Sequence, residues 1–144
     1  MEHRCNKRTA HDHNNHIQKF TVFVPTNDAI KDYLGVENDF NAGREFDNWH
    51  CKDLEDFVLI NVVEGREYDK RDLRKRCSDS LRMANNENTR TICEKRNNNE
   101  DRIYQKGPGN SDRNKPQIRK FDIDACDGII HEINKVMLPA ADGW

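Results

Sequence analysis

A chain of 144 residues accommodates one domain and is too short for two of ordinary size. Hydrophobic residues make up 34% and charged residues 35%, with a mean hydropathy of -1.09, so any core is lean and Asn85–Asn86, Asn97–Asn99 and Gly107–Asn114 read as solvated loop. The 24 basic and 26 acidic residues leave a net charge of -2, which gives no global pull towards nucleic acid or anionic lipid, and the longest apolar runs, Phe57–Ile60 and Val136–Leu138, are far too short to cross a bilayer.

Residues 1–19 read as a polar, disordered tail. They have no apolar h-region, so they do not form a secretory leader; export information lies upstream, or the chain is not exported. His3, His11, His13 and His16 lack the supporting shell that would hold imidazoles around a metal, and neither a metal site nor a cofactor is expected. Phe20–Val24 reads as a short strand ended by Pro25, which cannot donate to a ladder. Thr26, Asn27 and Asp28 then offer side-chain oxygens to the exposed amides of a helix start, and Gly35 stops that helix.

Phe46–Leu59 reads as one helix with Leu54, Phe57 and Val58 as its apolar stripe and Trp49 behind them. Ile60–Val63 extends the apolar run to a turn at Glu64–Gly65. The run Lys70-Arg71-Asp72-Leu73-Arg74-Lys75-Arg76 reads first as a solvated face and second as a polyanion site. Leu81–Ala84 and Thr89–Cys93 suit a hairpin across Asn85–Asn88, and Ile103–Tyr104 and Gln117–Ile118 suit further strands on either side of the Gly107–Asn110 loop. Finally, Phe121, Ile123 and Ala125 alternate with Asp122, Asp124 and Cys126; Asp127-Gly128 suits a two-residue turn of positive φ, and Ile129–Ile133 returns on the partner strand. Many short strands with two or three helices predict an α+β architecture with a β-sandwich core.

The five cysteines, at 5, 51, 77, 93 and 126, form no CxxC, which speaks against a zinc ribbon or a thioredoxin-type redox site. Their number suits an oxidising compartment. Cys5 is taken as the odd thiol, and the other four allow three pairings. Across the Asn85–Asn88 turn, Cys93 faces the region near Ser80, close to Cys77, so Cys77–Cys93 is the expected disulfide, with Cys51 and Cys126 as the other candidates.

Two segments about a hundred residues apart, Thr21–Ala29 and Asp127–Pro139, resemble the signature boxes of the fasciclin-type domain, and Leu54–Gly65 is similar to that family's central box. Met83–Cys93, Tyr104–Asn110 and Asp122–Gly128 resemble the cysteine-bearing version found in algal, diatom-type secreted proteins. The resemblance implies one domain over 20–139, with tails at 1–19 and 140–144, and a wedge-shaped β-sandwich with flanking helices. It also implies extracellular or cell-surface adhesion to protein or glycan partners, without catalysis. The chain departs from the family pattern in three places. The helix that normally precedes the first box has no counterpart here, so a truncated or mis-started chain is expected. The family's Tyr-His pair is Ile60-Asn61, and its usual Asn-Gly turn is Asp127-Gly128.

His131 invites a catalytic reading, because a two-residue turn would place Asp124 opposite it; with no nucleophile motif it reads instead as a buried, hydrogen-bonded structural histidine. Thr26, Asn27, Asp28 and Gly128 are likewise assigned to architecture. Candidate contact residues are Asn61, the exposed acid-apolar pair Asp122-Ile123 (which matches integrin-binding relatives) and the basic cluster Lys70, Arg71, Arg74, Lys75 and Arg76. That cluster is also the alternative function, an acidic-polysaccharide-binding module.

Overall fold

Proline closes the first strand and a threonine opens the first helix. In the computed structural model, which describes residues 18–95 and 101–141, β1 runs Phe20–Pro25. Thr26 Oγ1 then accepts from the Ala29 amide at 3.1 Å and caps α1, Asn27–Leu34. Gly35 ends that helix at φ 69, the left-handed conformation that a Cβ disfavours. The tail histidines, Cys5, Asn97–Asn99 and residues 142–144 lie outside the described residues.

The helix expected over Phe46–Leu59 is two helices. Asn38 caps α2 (Asp39–Asp47) through a 2.8 Å bond from the Asn41 amide, and α3 covers Cys51–Leu59. The break falls at Asn48–His50, where the chain bends so that Trp49 meets Phe46 and Phe57 edge-on. Of the predicted stripe Phe57 is buried, Leu54 is half-buried and Val58 faces solvent at 52% exposure, because the core side of α3 is set by Phe57 and Ile60.

After β2 (Val62–Glu64), α4 covers Lys70–Lys75, a helix in a segment read only as a charge run. Asp69 and Asp72 form a reciprocal capping box at its start, and Leu73 anchors it in the core with no exposure. The strands β3 (Ser80–Arg82), β4 (Asn88–Lys95) and β5 (Asp101–Lys106) make an antiparallel sheet in that order. A short 3-10 helix at Asp112–Asn114 leads to β6 (Ile118–Ala125) and β7 (Gly128–Ile133). These two join the first strands in a second sheet, ordered β2-β1-β7-β6, whose β1–β7 pair is parallel. The two ends of the domain therefore lie side by side. Phe23, Ile60, Leu73, Leu81, Ile103, Ile133 and Met137 are all within 2% of complete burial and belong to one cluster. The sheet of β3, β4 and β5 also buries a polar trio, in which Gln105 donates to Thr89 Oγ1 and accepts from Thr91 Oγ1, both at 2.8 Å.

Cys77 and Cys93 form the expected disulfide, with Cα atoms 5.5 Å apart. Cys51 is disulfide-bonded as well. Cys126 is not: it is a free, exposed thiol at the β6–β7 turn, which corrects its place among the disulfide candidates.

That turn differs from expectation too. Its residues are Cys126 and Asp127, since Ala125 already pairs with Gly128, and none of the three at 126–128 has positive φ. Gly128 is there for proximity: a Cβ on it would collide with the carbonyl oxygen and ring of Phe20 on the parallel neighbour. Gly128→Ala is therefore expected to cost about 2 kcal/mol through overpacking. Chemical denaturation checks this, and an unchanged midpoint would show that the β1–β7 seam yields freely.

Candidate interaction surface around Tyr68

Thr21 is a polar residue on a strand, and its side chain is completely buried. Its hydroxyl donates to the Arg66 carbonyl and accepts from the Tyr68 amide, each at 2.8 Å. One side chain of β1 thus holds the 66–68 segment against the sheet. Thr21→Val keeps the shape but leaves both backbone groups without that partner. The expected loss is about 2 kcal/mol, with faster amide exchange at Tyr68 as the local readout.

His131 holds the same segment from β7. Its ring is fully buried between Phe23 and Phe121, with centroids 5.6 and 5.7 Å away. Nδ1 accepts from the Asp122 amide at 3.2 Å, so the proton sits on Nε2, which donates to the Tyr68 carbonyl at 2.6 Å. Burial pushes the imidazole below its ordinary value of 6.5, against the opposite pull of the Tyr68 carbonyl and of the Asp122 and Asp69 charges. The ring is a neutral strut.

Asp124 is not its partner: it pairs with Ile129. A bulge shifts the register between Lys120 and Ile123, so Phe121 and Asp122 together oppose His131. Asp122 takes φ 59 there, a left-handed conformation that Asp tolerates, and its Oδ1 accepts from the Lys70 amide at 2.9 Å. The carboxylate flagged as a possible receptor contact thus ties the start of α4 to β6, while Ile123 beside it is 40% exposed.

The sequence-flagged residues Lys70, Asp122 and His131 converge here, joined by Tyr68, Thr21 and Arg66, which sequence reasoning passed over. The Arg66 and Arg76 guanidinium carbons lie over the Tyr68 ring at 4.7 and 5.1 Å, and the Lys70 ammonium lies over Phe121 at 4.7 Å. Arg71 and Lys75 are exposed, and Arg74 leans on Asp101 at 3.9 Å.

Other flagged residues lie elsewhere. Thr26, Asn27 and Asp28 sit at the far end of β1, where the Thr26 amide also donates to the Ile133 carbonyl at 3.1 Å. Asn61 is buried, not displayed: its amide donates to the Phe57 carbonyl at 2.8 Å, and its backbone carbonyl accepts from Phe23. Among the described residues no group of three or more His, Cys, Asp or Glu is arranged to hold a metal ion.

The model of the Fasciclin domain family matches residues 6–139. Among solved structures, a FAS1 domain pair from the insect cell adhesion molecule fasciclin I matches with a TM-score of 0.60 at 15% identity, a likeness of fold. That match covers 83% of this chain and 36% of the other, so the chain spans about a third of that domain pair. No curated protein matches the chain.

Proposed function

The chain belongs to the fasciclin domain family, and on that premise we propose that it is an extracellular or cell-surface domain that adheres to protein or glycan partners and carries out no catalysis. The family match over residues 6–139 carries this reading. The polar residues that would tempt an enzymatic one are occupied by backbone: His131 spans Tyr68 and Asp122, and Asp122 holds Lys70. The Cys77–Cys93 disulfide supports an oxidising compartment. No helix among the described residues is long and apolar enough to cross a membrane. The test is adhesion of cells and matrix extracts to the immobilised domain. Binding above that to an unrelated disulfide-bonded domain supports the reading, and binding no greater overturns it.

A further inference from the structure

The cations around Tyr68 make no direct contact with a carboxylate of the described residues, although Asp69, Asp72 and Asp122 stand close by and Asp69 feels the Arg71 charge. Asp69 and Asp72 accept from each other's amides, and Asp122 accepts from the Lys70 amide. These carboxylates point at backbone donors, so they lower the local positive charge without pairing with any one of the cations. Among the described residues Arg66, Lys70, Arg71, Lys75 and Arg76 form no ion pair. Two guanidinium groups each lie about 5 Å from one ring centre, so they stand within about 10 Å of each other. An unpaired arrangement of like charges is unfavourable alone and is relieved by an anion.

The backbone that carries these cations is held before any ligand arrives, and their charged ends rest on the Tyr68 and Phe121 rings. Thr21 pins the Arg66 carbonyl and the Tyr68 amide. Arg76 precedes Cys77, which is bonded to Cys93, and its own carbonyl accepts from Asp79 at 2.9 Å. Lys70 is fixed through its amide by Asp122 and through its ammonium by Phe121. Preorganised guanidinium forks suit oxyanions, because little side-chain freedom remains to be lost on binding.

We propose that Arg66, Lys70 and Arg76, flanked by Arg71 and Lys75, form a binding face for an acidic polysaccharide, whose sulfate or carboxylate groups these cations contact. This deepens the adhesion reading above and rests on it. A nucleic acid fits less well. Tyr68 is only 8% exposed under its two arginines and Phe121 lies half-buried beneath Lys70, so neither ring is free to stack a base.

The experiment titrates the full chain with sulfated dextran oligosaccharide, oligogalacturonate, neutral dextran and single-stranded DNA at low ionic strength. Saturable binding of one or both charged saccharides, lost as salt rises, and none of neutral dextran, is expected; which of the two binds distinguishes sulfate from carboxylate. Arg66→Gln with Arg76→Gln weakens it about tenfold. Arg113→Gln, on the 3-10 helix, changes it by less than about twofold. Amide shifts of the unaltered protein supply the second measurement and should centre on Arg66, Tyr68, Lys70 and Arg76. Equal affinity in the double variant, shifts centred elsewhere, or DNA binding as tightly as the saccharides would each overturn the proposal. Cell adhesion that persists without saccharide binding sinks this inference alone; loss of both sinks the adhesion reading with it.

Discussion

Replacing Cys77 and Cys93 together by serine lowers the unfolding free energy by roughly 3 kcal/mol, the cost expected for reopening a loop of this size in the unfolded chain. The two residues are 16 apart, and between them lies β3 with its turn into β4. The bond closes a seam that backbone also makes, since Ser78 donates to the Thr91 carbonyl at 2.7 Å and Thr91 donates to that of Asp79 at 3.0 Å. A domain this lean in apolar residues has a small margin, so the loss is a large share of a total on the order of 5–15 kcal/mol. A chemical reductant is the wrong tool, because Cys51 is disulfide-bonded too. Urea unfolding of the double variant gives the measurement, and a loss under about 1 kcal/mol would mean that the β3–β4 hydrogen bonds hold the loop unaided.

What the sequence made legible was local. Pro25, Thr26 and Gly35 each act on their immediate neighbours, and strand, cap and helix stop all stand where those three residues put them. The same holds for the hairpin that brings Cys93 back to Cys77. Family resemblance, resting on two distant boxes, placed β1 and the last hairpin in one domain, and they are hydrogen-bonded neighbours. The α4 helix has a local signal, since Asp69-x-x-Asp72 before Leu73 is a capping pattern, but the surrounding charge obscures it. The α2 helix offered less, with Gly43 inside it and Phe40 at 73% exposure on its surface.

The surface around Tyr68 was hidden for a different reason. Thr21 reaches partners 45 and 47 positions away, and His131 reaches Tyr68 across 63. No window along the chain contains both ends of such a bond. The register of β6 on β7 departs from expectation already at the turn, where Ala125 pairs with Gly128 and so carries Asp124 to Ile129; the bulge at Asp122 then adds an inserted residue that alternation alone cannot show. Burial was the other blind spot: Asn61, Thr89, Thr91 and Gln105 are polar by type and interior by position.

His131→Ala is expected to destabilise the domain by about 4 kcal/mol, since it empties a buried ring and strips partners from the Tyr68 carbonyl and the Asp122 amide at once. The histidine also makes stability depend on pH. Its folded-state pKa is depressed below the ordinary 6.5 by burial, so as pH falls the unfolded chain takes up the proton first. Stability from this group is fully present above about pH 6.5 and is lost as pH falls from there through the folded-state value. Protonation places a second N–H at Nδ1, facing the Asp122 amide, so the charged ring cannot keep the bond that seats the bulge. Asp122 and Asp69 pull the other way and moderate the loss. Denaturation at a series of pH values between 5 and 7 reads the slope, and His131→Gln, which cannot titrate, should remove most of it. Equal slopes in the two proteins would place the acid sensitivity on other groups and leave His131 as packing alone.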